Sequence, residues 1–518
     1  MPTLPLPERP DLSSFRRQAR ALQRAVRTAD AAALARVAEH HPAGVPADPA
    51  AFPLAAAQLV VAREHGFASW PRLRRYLDVV AEYRWDGDEA AAPVTDPAGE
   101  LCRLACLTYS GDDGPHRWAR AGRLLAEHPD LTRADIWAAA AAATPGDVRR
   151  LLETDPGLAR ARGGPFGWRP LCYLAYSRLE RPEPEVLDVA RALLAAGADP
   201  DDGFLWRGLC TFTVLTGVFG GGEQGPARQP RHPHWRPLAR LLLDAGADPN
   251  DDQALYNRMF SPVNDHLELL FEYGLGHPHA GGWQARLGEA APDPGDLLRT
   301  QLRWAVEHDQ RERVRLLAEH GVDVRSPFRG DGPVWAARDG RTPAELALLC
   351  GNREIAEYLV ALGAPPPAPN PADELVAAAF RADRAAVDAV RARHPEAAER
   401  ARRARPGLMV WAAAQAPAGT VELLAELGFD VNALGRADAP VEQEWETALH
   451  HAAGEGDVDL ARRLLALGAD PTIRDHRFGA TPLDWARHLN QPTTEALLAP
   501  LTDPPGRDVT GAPPTPPG

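Results

Sequence analysis

Two His-Pro-His triplets, His232/His234 and His277/His279, are the first residues whose type and spacing suggest chemistry. Imidazoles this close are candidate zinc ligands, which must converge on the metal at about 2 Å. The repeat pattern described below puts the two triplets at opposite ends of helices of about ten residues, roughly 15 Å apart. They are therefore expected to be loop histidines, with no metal site. Cys102 and Cys106 stand four apart, as on one helix face, but no second pair completes a ligand set. They, with Cys172, Cys210 and Cys350, are expected to be small buried thiols. Gly220–Gly222 lie in FGGGEQG, where no GK[ST] follows, so the segment reads as an insertion and not a phosphate cradle. There is no nucleophile elbow, no HExxH and no kinase signature set.

The run Arg391, Arg393, Arg400, Arg402, Arg403 and Arg405 could hold a phosphate or an acidic segment. Glu396 and Glu399 beside it fit a solvated helix face better. Across the 518 residues, 71 acidic side chains outweigh 57 basic ones, for a net charge of −14. That balance argues against nucleic acid as the main partner. All the basic residues are arginine, which fits GC-rich bacterial coding. With 45% hydrophobic and 25% charged residues the chain can bury a core. Five scattered cysteines do not make a disulfide framework. The first ten residues lack the basic and apolar regions of a signal peptide, and no run reaches the ~18 apolar residues that span a bilayer. A cytoplasmic location without membrane contact is expected.

These residues must be positioned by an internal repeat. A leucine-rich helix end followed by Gly-Ala-Asp-Pro or a variant recurs: LLAAGADP ending at Pro200, LLLDAGADPN at Asn250, LLAEHGVDV at Val324, LVALGAP at Pro365, LLAELGFDVN at Asn432 and LLALGADP at Pro471. Paired leucines bury the helix end, glycine stops it in the left-handed conformation, and Asp-Pro opens a turn. Upstream stand Thr342-Pro343-Ala344-Glu345-Leu346-Ala347, Thr447-Ala448-Leu449-His450-His451-Ala452 and Thr481-Pro482-Leu483-Asp484-Trp485-Ala486. Threonine caps a helix start, and proline suits its first position.

This pattern resembles the ankyrin repeat, with its period of about 33 and its T-P-L-H-x-A signature. The likeness is strongest in Thr342–Pro365 and Thr447–Pro471 and degenerate around Arg169–Pro200, Thr300–Val324 and Gly407–Asn432. It implies an all-α helical solenoid with short turn and finger loops, built of about ten units over 99–502. Residues 1–85 would be an N-terminal helical cap, of the kind found before bacterial ankyrin arrays. Residues 86–98 would be a linker, and the Pro/Gly-rich 503–518 a disordered tail. The resemblance also implies protein–protein recognition through the fingers and concave surface, with no catalysis and no cofactor, by a monomer, with the partner unidentified.

Tryptophans recur at one register of the opening phrase, Trp304, Trp411 and Trp485, with His451 in the same slot. They could line the concave surface or fill gaps between helices. Better candidates for binding are the insertions, which in repeat proteins map to one face. Arg325–Arg341 carries Phe328, Arg329 and Trp335, and Ala433–Glu446 carries Trp445. Aromatic residues with arginine are typical of interface hot spots. Trp206, Trp235, Arg474 and Phe478 complete the candidate set. A ligand-binding or enzymatic site grafted into the insertion at 218–236 is the alternative, and Glu223, Arg228, Arg231 and two histidines are its inventory.

Overall fold

The computed structural model describes residues 4, 6–7, 9–87, 92–279, 281–328, 340–368, 370–437 and 443–502. The expected tail at 503–518, and the candidates Arg329 and Trp335, lie outside the described residues. The fold is mostly helical, with 29 α-helices and three short strands among the described residues. It divides into two compact units, Met1–Leu297 and Leu298–Gly518.

In each unit helices come in pairs, and the first helices of successive pairs stack. In the first unit Ile136–Ala141 packs between Pro97–Ala105 and Pro170–Tyr176, followed by Val214–Phe219 and Asp252–Met259. In the second, Pro343–Leu349 packs on Pro371–Phe380, and Leu408–Gln415 on Ala448–Glu455, which in turn packs on Pro482–His488. Alanines on these short helices let the backbones approach, and Ala138, Ala175, Ala412, Ala452 and Ala486 are buried. The repeated leucines bury as expected, among them Leu193, Leu242, Leu359, Leu424 and Leu464. Gly468 ends its helix at φ 96°, a conformation that a Cβ would penalise. Thr342 and Thr481 close reciprocal caps with Glu345 and Asp484.

The N-terminal segment has its own core. Leu12–Arg27, capped by Asp11, packs on Leu54–Glu64 and buries Phe15, Leu22, Val26, Val60 and Val61. Arg36 grips the buried Glu64 bidentately at 2.6 and 2.8 Å. The segment then does more than cap. After the helix Trp70–Tyr83 the chain forms strand β1 (Arg84–Trp85), parallel to β2 (Gly203–Trp206), which pairs antiparallel with β3 (Cys210–Thr213). This small sheet is a departure from a purely helical expectation. Its cause is local: Phe204, Phe212, Thr211 and Thr213 suit a pleated, half-buried surface and poorly suit a helix. Trp85 sits in a pocket of rings, with centroids at 4.7 Å to Phe204, 4.8 Å to Trp168, 5.4 Å to Phe166 and 5.5 Å to Trp206. Gly87 is needed beside it, since a Cβ there would meet Trp206 at 2.6 Å and the Thr108 carbonyl at 2.8 Å.

Candidate partner-binding surface

Two neighbouring finger turns of the second unit bring the strongest candidates together. The first is the finger in which Gly435 and Glu446 pair antiparallel through their backbones. The second is the turn Asp475–Ala480. The His476 amide donates to the Trp445 carbonyl at 2.8 Å, so the two turns lie side by side.

Asp475 builds the second turn. Its buried carboxylate accepts from the amides of Arg477 (2.8 Å), Phe478 (2.5 Å) and Ala480 (3.0 Å), and from Trp485 Nε1 (3.0 Å). Burial pushes its pKa up, but these hydrogen bonds outweigh burial and hold it below the ordinary carboxylate value. The locked turn leaves Phe478 63% exposed. Beside it the Arg477 guanidinium lies over two rings, 4.6 Å from the Trp445 centroid and 4.9 Å from that of Phe478. Arg436 lies over Trp445 at 3.8 Å and donates to Gln443 Oε1 at 3.0 Å. Arg474, largely exposed, donates to the Gly479 carbonyl at 2.6 Å and stands 3.9 Å from Asp484. Trp445, Arg474 and Phe478 thus share one surface. Arg436 and Arg477 belong to it too, although neither was a sequence candidate.

The family model of the ankyrin repeat matches residues 444–476. The matched stretch is one ankyrin period long. It begins at the end of the first finger, runs through the helices Ala448–Glu455 and Val458–Ala466, and ends in the second finger. Inside this ankyrin repeat His450 takes over the cap: its Nδ1 lies 3.2 Å from the Thr447 amide and 2.8 Å from the Thr447 hydroxyl, while Nε2 lies 3.0 Å from the Ala480 carbonyl. The ankyrin signature histidine therefore ties one repeat's helix start to the next finger.

The other candidates are turned inward. Phe328 is buried, with the Arg299 and Arg303 guanidiniums 4.6 and 5.3 Å from its ring. It is not an exposed anchor, because the arginine–aromatic composition that suggests a hot spot is here satisfied within the chain. Trp206 is half-buried against Trp85 and Phe212. Trp235 is half-buried beside Phe219, with Arg231 4.3 Å from its ring. Of the recurring tryptophans, Trp411 is fully buried and Trp304 stacks on His308 at 3.7 Å, which fits the gap-filling role.

The histidine triplets have separate partners. His232 is buried, and its Nδ1 accepts the His234 amide; His234 Nε2 reaches the Arg181 carbonyl at 2.6 Å, and His279 stands 3.7 Å from Asp248. Among the described residues no group of three or more His, Cys, Asp or Glu is placed to hold a metal ion. The insertion at 218–236 is packed against its own unit. Arg178 donates to the Pro230 and Gly217 carbonyls, Arg228 to those of Gly111 and Asp113, and Glu223 pairs with Tyr256. Its polar inventory is engaged within the chain. No helix among the described residues is long and apolar enough to cross a membrane.

Proposed function

We propose that this chain is a non-catalytic scaffold that binds a protein partner through the finger turns around Trp445 and Phe478. The observation that carries this is Phe478, a large aromatic ring left 63% exposed by a turn that Asp475 holds rigidly, beside the stacked Trp445 and Arg477. A preorganised aromatic with arginine is the composition of binding hot spots. Ankyrin repeats in general mediate protein–protein interaction, and one ankyrin repeat is matched within this surface. The five cysteines are free thiols, buried except for Cys210, which is exposed against expectation, and free thiols suit a monomer working in a reducing cytoplasm.

The test is affinity capture from lysate of the native host, with the wild-type chain and a Trp445→Ala/Phe478→Ala double variant as baits. A protein retained by the first and lost by the second supports the assignment. Equal retention by both places the interaction elsewhere and overturns it.

A further inference from the structure

Arg477 specifies the partner's chemistry, given that the fingers are the binding face. Arg477 is exposed, and its guanidinium carbon lies 4.6 Å from the centre of the Trp445 ring and 4.9 Å from that of Phe478, so two rings position it. A guanidinium held this way presents a rigid fork that matches a carboxylate bidentately. Among the described residues no carboxylate pairs with it.

The acidic groups nearby serve internal donors. Asp475 is buried and accepts three backbone amides and the Trp485 indole. Glu446 is buried and accepts the Ala437 amide, and Asp484 accepts the Thr481 amide and hydroxyl at 2.9 Å each. Among the described residues the outward carboxylates here are Glu444, 3.8 Å from His476, and the half-exposed Asp484, 3.9 Å from Arg474. Arg474 and His476 thus have carboxylates beside them, and Arg477 is the exposed cation of these turns that no described carboxylate answers. Nucleic acid fits less well with a chain of net charge −14.

We propose that this surface recognises an acidic peptide segment of the partner protein, with Arg477 taking a carboxylate and Phe478 packing on the apolar residue next to it.

The experiment titrates the full chain at low salt with fluorescein-labelled hexaglutamate, hexaglutamine and a short oligothymidylate, read by anisotropy. Hexaglutamate is expected to bind, and Arg477→Gln to weaken it by about tenfold or more. Arg462→Gln, the same charge loss on the Val458–Ala466 helix, is expected to change it by less than about twofold. Arg477→Lys, which keeps the charge but not the fork, should fall between the two. Thermal melts check that each variant is folded. The proposal is overturned if Arg477→Gln binds hexaglutamate as well as Arg462→Gln does, or if oligothymidylate is the tighter, Arg477-dependent probe. In either case, loss of lysate capture by the double variant leaves the finger surface standing and removes only its acidic preference. If neither the probes nor lysate capture responds to these variants, both fall.

Discussion

The guanidinium carbon of Arg477 lies 4.6 Å from the centre of the Trp445 ring, and that of Arg436 lies 3.8 Å from it. Arg436 comes from the same finger as Trp445, whereas Arg477 comes from the next turn. The indole is thus the shared element of two fingers. Each such contact contributes about 0.5–1 kcal/mol at an exposed site and more when dehydrated. Trp445→Ala is expected to cost about 1–2 kcal/mol in urea unfolding, while Trp445→Phe keeps most of that. A Trp445→Ala chain with unchanged stability would show that the stack holds nothing in place.

Phe478 is expected to behave in the opposite way. Its ring is largely in water, so Phe478→Ala should leave the unfolding free energy within about 0.5 kcal/mol of wild type. Affinity for the captured partner should fall by about 2 kcal/mol or more, as for a hot-spot aromatic. A variant that loses stability and keeps affinity would mark Phe478 as structural. Calorimetry with the partner and a urea titration separate the two outcomes.

Trp85 anchors β1 in the aromatic pocket, with 8% exposure. Its removal opens a cavity beside four rings. Trp85→Ala is expected to cost about 3–5 kcal/mol. Gly87→Ala should cost about 1–3 kcal/mol, because the Thr108 carbonyl is backbone and cannot step aside. Both are read by chemical unfolding followed through tryptophan fluorescence. Wild-type stability in Trp85→Ala would mean that β1 is an incidental contact.

The helical repeats were legible because each signal is local. Thr-Pro sets a helix start, paired leucines set its buried face, and a glycine a few residues on sets its end. The Trp85 pocket was not legible, since it joins rings more than 80 residues apart through strands too short to show a period. Phe328 misled for a physical reason: arginine over an aromatic ring has the same composition whether a partner or the chain supplies the arginine. Phe478 carried a signal that spacing makes visible. It follows Trp445 by one period of about 33 residues, so the two occupy matching places in consecutive fingers. Arg477 sits just before that register position and could have been found with it.

Asp251 ties strand β3 and the Val214–Phe219 helix to the helix after it. Its carboxylate accepts from the Thr213 hydroxyl at 2.5 Å, the Thr216 hydroxyl at 2.9 Å and the Ala254 amide at 2.9 Å. Asp251→Ala leaves those donors buried and unanswered, at an expected cost of about 2–4 kcal/mol. Burial raises this carboxyl from 3.8 to about 6, above its unfolded value. Its contribution to stability is therefore greatest below pH ~4 and declines as pH rises toward 6. Asp251→Asn is expected to remove that decline, which a series of urea titrations between pH 4 and 7 would measure.

His450 gives a pH dependence of the opposite sign. With Nδ1 accepting the Thr447 amide, the neutral ring donates from Nε2 to the Ala480 carbonyl. A proton on Nδ1 abolishes the acceptor and breaks the cap. Burial lowers the His450 pKa below its ordinary 6.5, and the Ala480 carbonyl with the Asp475 and Asp484 carboxylates offsets only part of that. The unfolded chain therefore binds the proton more readily than the folded one. The stability this residue contributes is complete above pH ~6.5 and is lost as pH falls below it. Gln at this position keeps an acceptor for the cap and does not titrate. Against wild type, His450→Gln should be the less stable or equal chain at pH 7.5 and should gain on it steadily toward pH 5.5. Neighbouring His451, also lowered by burial, titrates in both proteins and cancels from the difference. Parallel curves of melting temperature against pH for the two chains would rule out His450 as the source, and a closing gap would assign the acid sensitivity of this repeat to one imidazole.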